Sequence, residues 1–570
     1  MISTILIWIY IFFITTLAGH FLLMILKFLI KSDNASDPDL MEMSMFGIIG
    51  IGIFLSCFSL FYKIGFTANS ILISAGVVYF FLARRSIVSY YKSQIQKLNH
   101  IPVINKVLIF FYCILILFAA QLHPTVSDTG LYHAQNIKWI TNFKIVPGLG
   151  NLHGRFAFDN QSFLLEALFS LSFLRLQYFH LLNSYLMLIL SVTLIMLICK
   201  TIGLNHTRSI LYAGLLLLLQ VFYIKSESSP TPDIFMAVGI WFIFITYFER
   251  IPVKGYNKLY WIVIIFTTFF LITVKLSALP VALIFVLFLL ESKNALFKKL
   301  LLVSVLGVVV MLPYLVRNYI LSGYLIYPYS FINLFNPDWK IPVAYVNEIK
   351  SVISTHAQAG DWQQRLFSEW FPIWYSRLSA GFKILSVYIL ISPLLIGIII
   401  LFSRNIRNIF RRELMVLAIC LVAIILWFFS APNYRFIYPF LFVYLLITCM
   451  ILLQLLSEKL RNLQFFIIGK KIFCRNLISI FFYALLIIFP SWYILKFNYL
   501  EIKHSIVFPV DYEKVTINKI QQNDFQLNIP ADGNYCWNSE IPCSIFQKDI
   551  GITNIELRGE KLEDGFRGRK

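Results

Sequence analysis

Long, uninterrupted apolar runs constrain the fold of this chain more than any other feature. They recur along most of the sequence at roughly 16 to 25 residues each, the length that a helix needs to cross a bilayer. Only helices and closed barrels satisfy their backbone polar groups in hydrocarbon, and these runs lack the alternation of barrel strands. Of 570 residues, 59% are hydrophobic and only 13% are charged. The predicted fold class is therefore an all-α, polytopic integral membrane protein.

The positions of these runs predict about 14 transmembrane helices. We place the spans near residues 2–30, 45–63, 68–83, 104–121, 179–199, 209–224, 233–248, 259–274, 278–291, 299–316, 383–402, 414–429, 436–454 and 477–495. A further apolar segment, Ser162–Leu174, has about 13 residues and is short for a span. We interpret it as a helix that lies in or dips into the membrane interface.

The net charge of +20 does not indicate a nucleic-acid partner, because the basic residues cluster in short links between apolar runs. That distribution is typical of cytoplasmic loops. Each such link is separated from the next by two spans, so all lie on one side of the membrane. The links include Arg84 and Arg85, Lys200 and Arg208, Arg250, Lys298 and Lys299, Arg411 and Arg412, and Lys470 and Lys471. Membrane lipids are the expected surroundings.

This orientation places three parts of the chain outside the cytoplasm: a loop at 123–179, a second loop at 317–383, and the tail. We divide the chain into additional N-terminal helices (1–103), a transmembrane core (104–495) and a small external C-terminal domain (496–570). A bridge between Cys536 and Cys543 would close a short loop, which is plausible in an oxidising compartment. The Ile-, Phe- and Lys-rich composition favours a bacterial cytoplasmic (inner) membrane.

The first external loop carries the densest set of candidate functional residues. Asp128 lies a few residues beyond an apolar helix, and His133 follows about one helical turn later. Apolar residues recur at helical spacing from Leu131 to Phe143, which predicts an amphipathic helix resting on the membrane surface. A turn at Pro147-Gly148 comes next, followed by Arg155 and the short apolar helix.

This order of features resembles the first external loop of the GT-C superfamily of membrane glycosyltransferases, such as protein O-mannosyltransferases and lipid A aminoarabinose transferases. Four later segments are similar to family motifs in the same order: ESSPTPDIFMAVGIWFI with Asp233, TVKLSALPVALIF with Lys275, LPYLVRNYILSGYLIYPYS with Arg317, and APNYRFIYPFLFVYLL with Arg435. The resemblance covers roughly residues 104–455 and implies a GT-C-like core. The chain departs from the family where Asp128-Thr129 replaces an acidic pair.

The resemblance implies transfer of a sugar from a polyprenyl-phosphate-linked donor to a lipid, glycan or protein acceptor on the extracytoplasmic face. Asp128 would act as general base, assisted by His133. A divalent metal ion, Mg or Mn, shared by Asp128 and Asp233 is one way to stabilise the departing phosphate. The other is a clamp of basic side chains, for which the candidates are Arg155, Lys275, Arg317 and Arg435.

Other interpretations of the same residues stay open. Asp233 at a helix start also suits a helix dipole, and Arg155 or Arg317 would also suit lipid headgroups. A polyprenyl-linked glycan polymerase or ligase would rely on the second external loop, where His356 and Arg365 lie. A lipid or glycan transporter would carry charges near the bilayer midplane, whereas these spans are nearly free of charge away from their ends.

Overall fold

The computed structural model describes residues 1–31, 38–202, 206–252, 257–290, 295–463, 484–491, 505–544 and 555–568. Most of these residues are helical. The helices are α1 (Ile2–Ile30), α2 (Leu40–Phe58), α3 (Phe66–Leu82), α4 (Arg84–Asn99), α5 (Val103–Ala119), α6 (Ala134–Asn142), α7 (Gln161–Phe169), α8 (Leu182–Thr201), α9 (His206–Tyr223), α10 (Pro232–Arg250), α11 (Lys258–Val274), α12 (Ile284–Leu290), α13 (Leu296–Ser322), α14 (Val343–Ala359), α15 (Phe367–Arg377), α16 (Ala380–Phe402), α17 (Arg404–Ile409), α18 (Arg411–Ser430) and α19 (Tyr438–Leu463).

Nine helices among the described residues are long and apolar enough to cross a membrane. They are α1, α2, α8, α9, α10, α13, α16, α18 and α19. A tenth span results if α3 and α4, which meet at a bend of 91°, count as one. The protein is thus a multi-pass membrane protein, and its described residues contain nine or ten candidate spans where the sequence predicts about 14 for the whole chain.

The difference in span number lies in helix length rather than in helix position. Every predicted span before residue 477 falls on a helix. However, α5 and α11 have 17 residues each, and the segment Leu276–Leu290 is similarly short, whereas a span needs about 20. The last predicted span, 477–495, lies mostly outside the described residues.

Ion pairs join several helices at one end of the bundle. Arg250 at the end of α10 contacts Glu42 on α2 at 2.5 Å, and Arg208 on α9 contacts Glu413 on α18 at 3.3 Å. These residues belong to or adjoin the links predicted to be cytoplasmic. The first turn of α10, with Asp233, lies at the opposite end of the bundle, about 27 Å away at 1.5 Å per residue.

Helices α1 and α2 cross so closely that their backbones touch. A Cβ on Gly47 would lie 1.8 Å from the Thr15 carbonyl oxygen, and one on Gly19 would lie 1.9 Å from the Met43 carbonyl oxygen. Small residues allow such an approach in membrane helices. Beside this crossing, Ser44 hydrogen-bonds Tyr185 of α8 at 2.7 Å, which attaches the pair to the rest of the bundle.

The first external loop is covered by protein on several sides. Helix α7 is buried along its whole length, Gln161–Phe169, so protein packs against the segment that we placed at the interface. Helix α6 is also largely buried. Part of its surface is covered by the tail rather than resting free on a membrane, because Gln135 and Lys138 bond carbonyl groups of residues 537–539.

The prediction of an all-α chain is wrong in the tail, whose described residues include four short strands. They are β1 (Ile517–Gln522), β2 (Phe525–Pro530), β3 (Ile555–Leu557) and β4 (Phe566–Gly568). β1 and β2 form an antiparallel hairpin with Ile517 opposite Pro530, and β3 pairs antiparallel with β4. Phe525 and Phe566 pack against Trp139 and Leu149 of the first external loop in one apolar cluster.

Candidate functional site

A π-helix, Thr129–His133, follows Asp128 directly and continues into α6. Such insertions are rare and frequently mark functional sites. The chain leading to Asp128 is held by the loop between α9 and α10, because the Val126 amide donates to the Ser229 hydroxyl at 3.2 Å. The Thr129 amide closes a turn onto the Val126 carbonyl at 2.8 Å. These bonds fix the point from which the Asp128 side chain projects.

Asp233 is positioned by the start of α10. Thr231 caps the helix by accepting from the Asp233 amide, and Pro232 occupies the first turn, where its missing N–H costs nothing. The Asn183 amide group of α8 donates to the carbonyls of Ser229 and Thr231 at 2.8 and 2.9 Å. A carboxylate in this position is stabilised by the helix dipole.

Five charged side chains meet between these two segments and form what we call the ion-pair cluster. Arg435 lies 2.6 Å from Asp128 and 3.1 Å from Asp233, so one guanidinium group links the two carboxylates. Arg155 contacts the other oxygen of Asp128 at 3.0 Å. Lys275 contacts the other oxygen of Asp233 at 2.5 Å. Three cations therefore surround two carboxylates.

Aromatic rings support the cations of the cluster. The Lys275 ammonium group lies 4.3 Å from the centre of the Phe436 ring, and the Arg155 guanidinium lies 5.4 Å from the Tyr132 ring. Cations at these distances are attracted to the ring faces. Tyr132 and Phe436 were not predicted, although each adjoins a residue that was, His133 and Arg435.

The cations are more accessible than the carboxylates that they contact. The Arg435 side chain is 39% exposed, while the side chains of Asp128 and Asp233 are 17% and 7% exposed. Burial by itself disfavours ionisation of Asp128, but the adjacent guanidinium groups, Arg435 foremost, outweigh it and hold its pKa below the ordinary value. The accessible part of the cluster is therefore positively charged, and the ionised Asp128 carboxylate lies behind it.

His133 lies beside the cluster in apolar surroundings, between the rings of Tyr132 and Phe163 at 4.4 and 5.1 Å. It is 2% exposed, and neither ring nitrogen has a hydrogen-bond partner in the described part of the chain. Burial lowers its pKa to about 4, although Asp128 and Asp233 favour the charged form. His133 is therefore a neutral imidazole at neutral pH.

Arg317, a predicted member of the phosphate clamp, is engaged elsewhere. On α13 it is buried and bonds Asp159 at 3.0 Å and the Ser59 hydroxyl at 2.5 Å. The pair lines a cavity of about 30 Å³ together with Trp139 and Asn136, enough for about one water molecule. Sequence reasoning assigned Asp159 no partner.

The cluster does not fit a shared divalent ion. Arg435 stands between the two carboxylates that would have to bind the ion, and both remaining carboxylate oxygens are occupied by cations. Across the residues that the structure describes, no group of three His, Cys, Asp or Glu side chains is arranged to hold a metal. We therefore derive no step through a metal ion.

Trp537 of the tail also reaches this region and was not predicted. Its backbone amide donates to the Gly130 carbonyl at 2.9 Å, next to a disulfide between Cys536 and Cys543 whose Cα atoms are 6.0 Å apart. A tryptophan brought from a distant part of the chain leaves no local sequence signal.

Comparison with known proteins identifies a family to which the chain belongs. Neither a curated protein nor a solved structure matches the chain. A family model described as a domain of unknown function, DUF8201, matches residues 1–442. That range contains every residue of the ion-pair cluster and ends before the tail. Because the match covers well over half of the chain, the protein belongs to the DUF8201 family.

Proposed function

We propose that this protein is a GT-C-type glycosyltransferase of a cytoplasmic membrane with its active site on the extracytoplasmic face. It would transfer a sugar from a polyprenyl phosphate to a hydroxyl or amine of a lipid, glycan or protein. The observation that carries the proposal is the ion-pair cluster. Arg435 joins Asp128 and Asp233, which come from separate segments, and Arg155 and Lys275 each contact one of these carboxylates. The cluster lies at the end of the bundle opposite the basic links.

Phosphate chemistry explains why a resting site would hold excess cations. A donor phosphate presents oxygens that compete with the carboxylates for Arg155, Lys275 and Arg435, and guanidinium groups suit phosphate geometry well. When Arg155 or Arg435 turns toward the phosphate, it withdraws positive charge from Asp128 and raises the basicity of its carboxylate. Donor binding would thereby activate the base.

The transfer step then balances as follows. The acceptor hydroxyl gives its proton to Asp128 while its oxygen forms a bond to the anomeric carbon of the sugar. The bond from that carbon to the phosphate oxygen breaks, and its electron pair stays on the phosphate. Arg435, Arg155 and Lys275 stabilise this negative charge in a partly buried site, where fixed charges are most effective. His133 lies between aromatic rings beside the site, and we assign it no step of the transfer.

The test is genetic complementation with a chemical readout. The gene is deleted in its host and restored as wild type, Asp128→Asn or Asp361→Asn at matched membrane abundance. Asp361 is the control, because its carboxylate pairs with Arg365 in the second external loop. Surface glycans and extractable lipids are then compared by mass spectrometry.

We expect wild type and Asp361→Asn to restore a glycoform and Asp128→Asn to fall by at least about 100-fold, the usual contribution of a general base. The mass difference would identify the sugar. Equal restoration by Asp128→Asn would exclude this residue as the base. A deletion that changes no glycan would count against the enzyme itself.

A further inference from the structure

The tail places a disulfide-closed loop directly on the segment that follows Asp128. We call residues 536–543 the disulfide loop. Its Cys536 and Cys543 are both buried, and Ser544 at its end donates to the Leu152 carbonyl at 3.1 Å. The loop is thus fastened to the first external loop as well as closed on itself.

Trp537 packs directly against the segment that follows Asp128. Its indole ring lies so near Gly130 that a Cβ there would be 2.8 Å from the indole Cε2. Trp537 has a left-handed backbone with φ of 42°, which a bulky residue rarely adopts. Such a conformation persists only where its surroundings enforce it. Here the adjoining disulfide and the bond from its amide to Gly130 do so.

Two side chains of α6 extend this contact. Gln135 donates to the carbonyls of Trp537 and Ser539, both at 3.0 Å. Lys138 donates to the carbonyls of Asn538 and Ser539 at 2.9 and 3.0 Å. The disulfide loop therefore binds the π-helix and the helix that continues it, on one continuous stretch from Gly130 to Lys138.

We infer that the disulfide loop is a positioning device for the active site, with Trp537 as its central positioning residue. Asp128 immediately precedes the π-helix, so its distances to Arg155 and Arg435 depend on where residues 129–133 lie. The inference deepens the proposed function and rests on it for its catalytic meaning. The mechanical part, that Trp537 restrains the π-helix, stands on the contacts alone.

The tail has other attachments that would survive loss of the Trp537 ring. Phe566 packs on Trp139 and Phe525 packs on Phe566, and Arg558 pairs with Asp338 at 2.7 Å. A change at Trp537 should therefore loosen the π-helix without releasing the tail. That local effect separates a positioning role from general stabilisation.

The test is a double-mutant cycle followed by amide hydrogen exchange on the full-length protein in lipid nanodiscs. The variants are Gly130→Ala, Trp537→Leu, their combination and Trp537→Phe, with Arg558→Ala as the control that loses a tail contact elsewhere. Gly130→Ala should raise exchange in residues 127–138 by about tenfold, because the added methyl displaces the indole.

In the Trp537→Leu background, Gly130→Ala should add almost nothing, because the smaller side chain leaves room for the methyl group. Trp537→Phe should keep most of the protection, and Arg558→Ala should leave residues 127–138 unchanged. The inference is overturned if Trp537→Leu leaves exchange in this segment at the wild-type rate. It is equally overturned if Gly130→Ala acts identically in both backgrounds.

The same variants then enter the complementation assay. With the proposed function correct, glycoform restoration should fall in the order of increasing exchange at 127–138, with Trp537→Phe close to wild type. If exchange follows the prediction but no glycoform depends on the protein, the restraint stands and the proposed function fails. If Asp128→Asn abolishes the glycoform but Trp537→Leu does not reduce it, the function stands and the positioning role fails.

Discussion

At the scale of single residues, Arg435 is the cation of the cluster that contacts both carboxylates. It comes from a short turn, Tyr434–Phe436, where the Asn433 side chain accepts from its backbone amide at 3.1 Å. Removing one partner of an ion pair leaves the charge of the other partner uncompensated. Here one guanidinium compensates two carboxylates, so its loss would leave Asp128 and Asp233 facing each other.

Arg435 also makes metal dependence testable. Transfer by membranes of the wild-type protein should persist in excess EDTA, because Arg435 occupies the position between the carboxylates. Arg435→Lys should lower transfer at least about tenfold, because an ammonium group is a point charge without the planar fork that spans two partners. Both are measured as glycoform formed per unit of protein in isolated membranes, with Lys275→Arg as a milder comparison.

The contrary result is equally clear. Loss of transfer in EDTA, with recovery on adding Mg²⁺ or Mn²⁺, would mean that Arg435 leaves the carboxylates and an ion takes its place during the reaction.

The sequence predicts the members of the ion-pair cluster but not which of them contact each other. Asp128, Asp233, Arg155, Lys275 and Arg435 were all named from the sequence, since each is predicted to lie on the external side of the membrane. Their pairing was not, because pairing depends on how helices distant in sequence pack. Arg317 was also predicted to lie on the external side, but it is buried in the protein interior, where it pairs with the Asp159 carboxylate instead of joining the cluster.

At the scale of elements, apolar runs located the helices well. The first predicted span, 2–30, coincides with α1. Hydropathy does not report the 91° bend between α3 and α4 or the strands of the tail. The β1 sequence, INKIQQ, lacks a regular alternation of apolar and polar residues, and its residues are partly or fully exposed. Such a strand gives little periodic signal before its partner is known.

The α1–α2 crossing gives a stability prediction. Gly47→Ala should lower stability by about 1–3 kcal/mol, because the methyl group would overlap a backbone carbonyl that cannot rotate away. Gly397→Ala on α16 is the matched control, because a Cβ there meets nothing within 4 Å. Thermal unfolding in one detergent, followed by tryptophan fluorescence, should show a lower midpoint for the first variant only. An unchanged midpoint for Gly47→Ala would mean that the helices are farther apart than described.

At the scale of the whole molecule, the two ends of the helix bundle have different arrangements of charged residues. One end has ion pairs that join neighbouring helices directly, such as Arg250 with Glu42. The other end has the ion-pair cluster, in which one guanidinium group contacts two carboxylates. Basic links mark the cytoplasmic side, so the cluster should face the opposite compartment.

Cysteine labelling in intact cells would check this orientation. Ser376 on α15 and Gln96 on α4 are exposed and lie in segments predicted to be on opposite sides of the membrane. Ser376→Cys and Gln96→Cys are introduced singly after replacing the cysteines outside the disulfide. A membrane-impermeant maleimide should label Ser376→Cys in intact cells and Gln96→Cys only after permeabilisation. Labelling of both in intact cells would contradict the predicted topology.

The disulfide loop also has a consequence for the timing of biogenesis. Gln135 and its partner Trp537 are 402 residues apart in the chain. At about 5–20 residues per second of synthesis, that separation corresponds to about 20–80 seconds. With the predicted orientation, the π-helix would cross the membrane long before the segment that covers it, and Cys536 and Cys543 would be oxidised afterwards. In a nascent chain, the site should therefore lack the contacts of the disulfide loop until the tail has been synthesised and exported.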